Sequence, residues 1–236
     1  MHSAYGFFGT IWKRLLCRIA AWKSERILTV SEYSKAKLNE ILGIPMEKIS
    51  VVYNAWQHIE KVLPEEAVLS RLRLSGGGGY FFSLSSLSPQ KNFIWIKEVA
   101  KRNPNLLFVV TGKAEGFTKL GVDELKTNNI LFTGYLTDGE IKSLMQHCRA
   151  FIHPAVYEGF GIPPLEAMSC GAEVIVSTAT CLPEIYQQSA HYVDPYDYEE
   201  NLEDLLKEPV APKEAVLERF CWTHEAEKLL KLLREN

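Results

Sequence analysis

The chain has 236 residues, enough for one large domain or two small ones. Hydrophobic residues make up 47% and charged residues 23%, the balance of a soluble globular protein, and a net charge of −3 gives no reason to expect nucleic acid as a partner. The five cysteines, Cys17, Cys148, Cys170, Cys181 and Cys221, contain no C-x-x-C pair and are odd in number, which points to a reducing, cytoplasmic setting and argues against a disulfide framework or a zinc knot.

In chain order, MHSAYGFFGTIWKRLLCRIAAW comes first. It is basic and apolar but lacks a clean apolar core and a small-residue cleavage site, so it does not read as a cleaved leader. No apolar run reaches the roughly 18 residues of a membrane span. Phe8, Ile11, Trp12, Leu15, Leu16 and Ile19 recur at helical spacing, while Lys13, Arg14 and Arg18 tend to the other side. A helix over residues 7–23 with that pattern suits a peripheral contact with the inner face of an anionic membrane, or packing on another protein domain. ERILTV reads as a strand, SEYSKAKLNEIL as a helix opened by Ser31 and ended at Gly43, and EKISVVYNA as a second short strand. This unit, residues 1–60, is too small to bury its own core. Residues 61–79 read as a connector with a helix, closing in SGGGG, a surface loop or hinge.

From Tyr80 the pattern changes. YFFSLS, LLFVVTG, NILFTG, AFIHPA and AEVIVS read as strands; NFIWIKEVAKR, DGEIKSLMQHC (opened by Asp138) and PPLEAMSC read as helices between them. Continuous apolar strands alternating with amphipathic helices predict an α/β fold, a Rossmann-like, doubly wound parallel sheet over residues 80–220. Ligands in such sheets bind beyond the carboxyl ends of the strands. WTHEAEKLLKLLREN reads as a closing helix, residues 221–236.

The most informative stretch is PAVYEGFGIPPLEAMSCG, Pro154 to Gly171. A strand, a tight Gly-Phe-Gly turn and a helix N-terminus together make an anion site. Pro163 and Pro164 suit a first helical turn because they lack N–H groups that would be orphaned there. Glu166 is expected in or near that turn, where a carboxylate also complements the helix dipole. Glu158 reads as a loop carboxylate. Together, two carboxylates around an anion-binding turn suit a ligand with phosphate in the middle and hydroxyls at both ends, such as a nucleotide sugar.

EGFGIPPLEAMSCG resembles the E-x7-E motif of the retaining glycosyltransferases of family 4, which have the GT-B fold. LSSLSPQKN, NILFTGYLTDGEIKSLMQHC and SEYSKAKLNEILGIPMEKISVVYNA resemble that family's lysine-bearing segment, base-holding segment and interdomain link. The resemblance implies that residues 80–220 are the C-terminal, donor-binding domain of a GT-B fold. Residues 1–60 would be a short remnant of a second Rossmann-like domain, the acceptor domain. It implies transfer of a sugar from a nucleoside diphosphate sugar to a sugar or lipid-linked sugar acceptor, with retention, without metal or cofactor, in polysaccharide or glycolipid synthesis. Glu158 would contact donor-sugar hydroxyls, the backbone of Gly159, Phe160 and Gly161 the sugar and distal phosphate, and Glu166 the ribose hydroxyls. Lys91 would pair with the diphosphate and stabilise the leaving group. The main chain at Tyr135 and Leu136 would face the base. Where many relatives carry Gly-Arg, this chain has Ser85-Ser86, so one cation is absent and Ser86 offers only a neutral hydrogen bond. The acceptor half is expected from elsewhere, for example a separate subunit. The alternatives are a nucleotide-sugar-binding module inactive without a partner, or an epimerase or phosphorylase of the same architecture.

Other chemistry finds little support. No D-x-D occurs, and TGK at Thr111–Lys113 has Leu107 where a Walker loop needs glycine. His147, Cys148 and His153 lack zinc spacing, and His153 reads as a packed histidine. Asp194 and Asp197 read as turn residues, and no nucleophile elbow is present.

Overall fold

The computed structural model describes residues 7–74, 79–85, 88–112 and 128–235, with the backbone alone for residues 7–10. The first unit contains α1 (Phe7–Lys23), β1 (Ile27–Thr29), α2 (Glu32–Leu42) and β2 (Ile49–Val51). β1 and β2 pair in parallel, with Ile27 opposite Ile49 and Thr29 opposite Val51. α2 is the crossover between them. It starts where the Ser31 hydroxyl accepts from Ser34 N–H at 3.0 Å, and it stops at Gly43, whose φ of 69° costs glycine nothing sterically. The core of this unit is Ala21, Ile44 and Ile49, which cannot sustain a domain. Hydrogen bonds tie it to the rest of the chain. Both carboxylate oxygens of Glu184 accept from the backbone N–H groups of Glu32 and Tyr33 at 2.9 Å, and Glu225 Oε2 accepts from Tyr53 N–H at 2.8 Å.

α1 turns its large apolar side chains outward. Its small Ala21 is buried, while Ile11, Trp12, Leu15, Leu16, Ile19 and Trp22 are each between 43% and 79% exposed. The side chain of Phe8 lies outside the described residues. Among the described residues, no helix is long and apolar enough to cross a membrane. α3 (Ala67–Arg71) follows in the connector, and residues 75–78 of the SGGGG run lie outside the described residues.

The main body contains β3 (Tyr80–Ser83), α4 (Phe93–Arg102), β4 (Leu107–Val110), β5 (Ile130–Phe132), α5 (Asp138–His147), β6 (Ala150–His153), α6 (Ile162–Ser169) and β7 (Glu173–Ser177). α7 (Leu182–Tyr186), β8 (His191–Val193), α8 (Leu202–Leu205), α9 (Glu214–Arg219) and α10 (Trp222–Arg234) complete it. The six strands form one parallel sheet in the order β5-β4-β3-β6-β7-β8. Alternate residues face opposite sides. Phe82, Val109, Phe151, Val174 and Val176 pack with Leu144, Met145, Leu165 and Ile185 from α5, α6 and α7. Phe81, Phe108, Val110, Ile152 and Ile175 pack with Trp95, Ile96 and Val99 of α4 and with Leu202 and Leu205 of α8. Both faces are therefore covered, and the strands read as unbroken apolar runs for that reason.

Two local expectations need correction. β8 is not predicted, because His191–Val193 is only three residues long and opens on a polar side chain. α5 is capped by Thr137 rather than Asp138: the Thr137 hydroxyl accepts from Glu140 N–H and the Glu140 carboxylate accepts from Thr137 N–H, a reciprocal capping box. Glu166 is the fifth residue of α6, directly after the first turn of a helix that starts at Ile162.

Candidate active site

The strand order reverses between β3 and β6, which leaves a crevice at their carboxyl ends. Lys91 reaches this crevice from a short 3-10 turn after β3, Pro89–Lys91. Two contacts seat that turn against the segment following β6. Val156 N–H donates to Gln90 O at 2.9 Å. The buried Asn92 amide donates to Pro154 O at 3.0 Å and to Pro195 O at 2.8 Å.

Glu158 meets Lys91 there. The Lys91 ammonium donates to Glu158 Oε1, and both side chains are largely buried. His153, the last residue of β6, is 2% exposed and places Nε2 3.0 Å from the same oxygen. The packed histidine of the sequence reading thus has a polar partner in the crevice. Burial alone would raise the Glu158 carboxyl, but the hydrogen bond and charge of His153, and then those of Lys91, outweigh it and hold the group down at about 2. Burial, against the pull of Glu158, keeps the His153 ring below its usual value. At neutral pH the ring is neutral and donates its Nε2–H, so Lys91 is the cation that balances the carboxylate.

The Gly-Phe-Gly turn is held from both sides. Phe160 is buried and meets the Phe220 ring edge-on at 5.2 Å. Gly161 has φ 89°, and a Cβ there would lie 2.7 Å from Leu182 Cδ2. Its carbonyl accepts from the Tyr186 hydroxyl. The backbone N–H of Glu158 donates at 3.2 Å to the hydroxyl of Thr180, itself at φ 58°. A β-branched residue at positive φ is strained and persists because its surroundings over-determine it. Ser34 Oγ, from the first turn of α2, lies 3.4 Å from Gly159 O, so this turn borders the crevice between the first unit and the sheet.

Eight residues beyond Glu158, Glu166 is held differently. The connector is entered through the 3-10 turn Gln57–Lys61, whose His58 places Nε2 2.5 Å from Glu166 Oε1. The indole N–H of Trp222 donates to His58 Nδ1 at 3.4 Å. Sequence reasoning missed His58, His153 and Asn92. None carries a motif of its own; the only signal was the Lys-Asn pair that opens α4.

The remaining expected positions are spread along the same edge of the sheet. Tyr135 and Leu136 follow β5, beyond β4 from the crevice; Tyr135 is 93% exposed and Leu136 packs on the core. Ser86 and Lys113 lie outside the described residues. Two residues beyond β3, the hydroxyl of Ser85 is buried with no hydrogen-bond partner among the described residues. Asp194 and Asp197 are turn residues, and their carbonyls accept from the buried Trp95 indole at 3.0 and 2.7 Å. Among the described residues, no group of three or more metal-ligating side chains is placed to hold a metal ion. A cation, two anchored carboxylates and a glycine turn opening a helix can together hold an anionic ligand that carries hydroxyls.

Comparison with known proteins fits this arrangement. The family described as glycosyl transferases group 1 matches residues 66–218. The chain belongs to this family. It is 30% identical over 196 residues to the O-antigen chain mannosyltransferase RfbU of Salmonella typhimurium, covering 81% of this chain and 53% of that protein. It is also 30% identical over 184 residues to the O-antigen chain mannosyltransferase B of Escherichia coli, covering 72% of this chain and 48% of that one. The chain thus spans about half the length of these curated relatives. The fold resembles sucrose-phosphate synthase from Thermosynechococcus elongatus (TM-score 0.79, 17% identity, 95% of this chain and 61% of that one). It also resembles Anabaena Alr3699/HepE, solved with UDP and glucose (TM-score 0.77, 21% identity, 94% and 66%). The group 1 domain here is an α/β, GT-B-like unit with a six-stranded parallel sheet.

Proposed function

We propose that this chain is the donor-binding half of a retaining, metal-independent glycosyltransferase of family 4 that moves a mannosyl or related hexosyl group from a nucleoside diphosphate sugar to a polysaccharide or glycolipid acceptor. The observation that carries the reading is the meeting of Lys91 and Glu158 from the ends of β3 and β6, at the switch point, beside the glycine turn that opens α6. The mannosyl group is suggested by the names of the curated relatives, and the nucleotide by the solved complexes of fold neighbours.

In this reading the donor diphosphate lies against Lys91 and the N-terminus of α6. The bond between the anomeric carbon and the phosphate oxygen breaks, its electron pair stays on the diphosphate, and the acceptor hydroxyl oxygen bonds to the anomeric carbon as its proton passes to the departing phosphate oxygen. Lys91 stabilises the charge that develops on the leaving group. It leaves Glu158 in part to do so, and His153 keeps that carboxylate aimed at the sugar hydroxyls. Glu166 takes the ribose hydroxyls, and the main chain at Tyr135 and Leu136 faces the base. The exposed apolar side of α1 is where the acceptor-binding half would pack.

Calorimetric titration with UDP, GDP, ADP and dTDP, then with the matching nucleotide sugars, tests this. Saturable binding of one nucleotide, weakened roughly tenfold in Lys91→Ala as loss of a charge-assisted contact would give, is the expected result. Binding of none of them overturns the donor-half reading. A diphosphate affinity unchanged in Lys91→Ala removes the lysine from the site.

A further inference from the structure

The two carboxylates of the loop each have an imidazole partner, but the two histidines come from different places. His153 belongs to the sheet that carries the site. His58 belongs to the turn that enters the connector, 108 residues before Glu166 in sequence. Its neighbours are stitched to the C-terminal segment. Trp56 Nε1–H donates to Leu217 O at 3.0 Å, the Gln57 amide donates to Phe220 O at 3.0 Å, and Gln57 Oε1 accepts from Trp222 N–H at 3.2 Å.

Both nitrogens of the His58 ring are engaged. An indole N–H can only donate, so Nδ1 facing Trp222 is the acceptor and the ring proton sits on Nε2, aimed at Glu166. Among the described residues, His58 is the hydrogen-bond partner of the Glu166 carboxylate. The Glu166 side chain is 15% exposed and that of His58 46%, so the carboxylate is largely buried and the histidine is the outer member of the pair.

We propose that His58 is a positioning residue for the ribose contact: it fixes the rotamer of Glu166, and through Trp222 it makes the grip on the ribose depend on how the connector and α10 are seated. This rests on the reading that Glu166 holds the ribose hydroxyls. A long glutamate side chain otherwise samples several rotamers, and ordering it before the ligand arrives lowers the entropy lost on binding. In this reading the C-terminal helix begins beside the ribose contact, through Trp222, without lining it.

The test uses the full chain and two probes: whichever of UDP, GDP or ADP binds, and its 2′,3′-dideoxy counterpart. Glu166→Ala is the control for the reading, and it should weaken the ribonucleotide and spare the dideoxy form. His58→Ala should weaken the ribonucleotide roughly threefold to tenfold, the effect of losing one oriented hydrogen bond, and change the dideoxy form by less than about twofold. The double variant should bind no more weakly than Glu166→Ala, because the histidine acts through the glutamate. His58→Gln, which keeps an N–H near the Nε2 position, should recover most of the loss. If Glu166→Ala shows the ribose-selective loss while His58→Ala binds as wild type, or weakens both probes equally, the positioning role is overturned and the ribose reading stands. If Glu166→Ala itself spares the ribonucleotide, the ribose reading fails first.

Discussion

Glu158 and Glu166 bracket one glycine turn, yet the molecule holds them in opposite ways. Glu158 sits in a largely buried triangle with Lys91 and His153, supplied by β6 and by the segments that follow β3 and β6. Glu166 is as buried, its side chain 15% exposed against 17% for Glu158, but it is held by a half-exposed histidine from another part of the chain. The first carboxylate is fixed by partners from one sheet and cannot be moved without disturbing the crevice between β3 and β6. The second is held from outside the sheet, by His58 and by the contact of that histidine with Trp222 of α10.

The comparison can be broken most severely at the hinge of the turn. Gly161→Ala forces a Cβ to within 2.7 Å of Leu182 Cδ2 at a φ of 89°. Left-handed backbone for alanine and the displaced leucine together should cost about 2–4 kcal/mol, read as a lower urea midpoint with unchanged slope. Because the turn carries both carboxylates, nucleotide and sugar contacts should weaken together. Wild-type stability would show that α7 yields more easily than its packing suggests.

The two histidines sharpen the contrast next. His153→Leu keeps the bulk but leaves a buried carboxylate short of one donor, for an expected loss of about 1–3 kcal/mol. His58→Leu, at a half-exposed position, should stay within about 0.5 kcal/mol of wild type. Equal losses in urea melts of the two variants would erase the distinction between a carboxylate held by the sheet and one held from outside it.

Acid should act mainly on the inner pair. With its folded-state pKa down at about 2 against an ordinary 4.5, Glu158 contributes stability that is present above about pH 4.5 and lost as the pH falls toward about 2. Glu158→Gln should flatten that part of a stability-versus-pH curve, and an unchanged slope would place the acid sensitivity elsewhere. A modest, local effect is expected from Glu184→Gln, which weakens the clasp on the first two N–H groups of α2 and on the Tyr53 hydroxyl. About 1 kcal/mol should be lost, with hydrogen exchange rising first in α2 and β1. Protection that changes equally across the sheet would show that the first unit does not open separately.

Much of the fold was legible. Five of the six strands of the main sheet read as apolar runs, because a sheet covered on both faces leaves no polar alternation, and α2 announced both ends through Ser31 and Gly43. The glycine turn and its two glutamates were legible as well, since their spacing is local. His153 was legible as a packed histidine, but its partner was not, because nothing in AFIHPA tells that a residue five positions later turns back to it. Glu166 was legible as lying in or near the first turn of its helix, and it follows that turn directly because the helix begins at Ile162, one residue before the prolines. β8 was too short to carry a pattern.

The amino-acid sequence by itself determined the succession of most strands and helices, both ends of α2, and the presence of a glycine turn between two acids. These depend on periodicity and on interactions within a few residues of one another. The tertiary structure alone decided the partners. Lys91 meets Glu158 across 67 residues only because the crossovers place β6 beside β3, and His58 meets Glu166 across 108 only because the connector is stitched to the C-terminal segment. The order of strands and the docking of a connector are set by the burial of whole faces, and no local pattern encodes them.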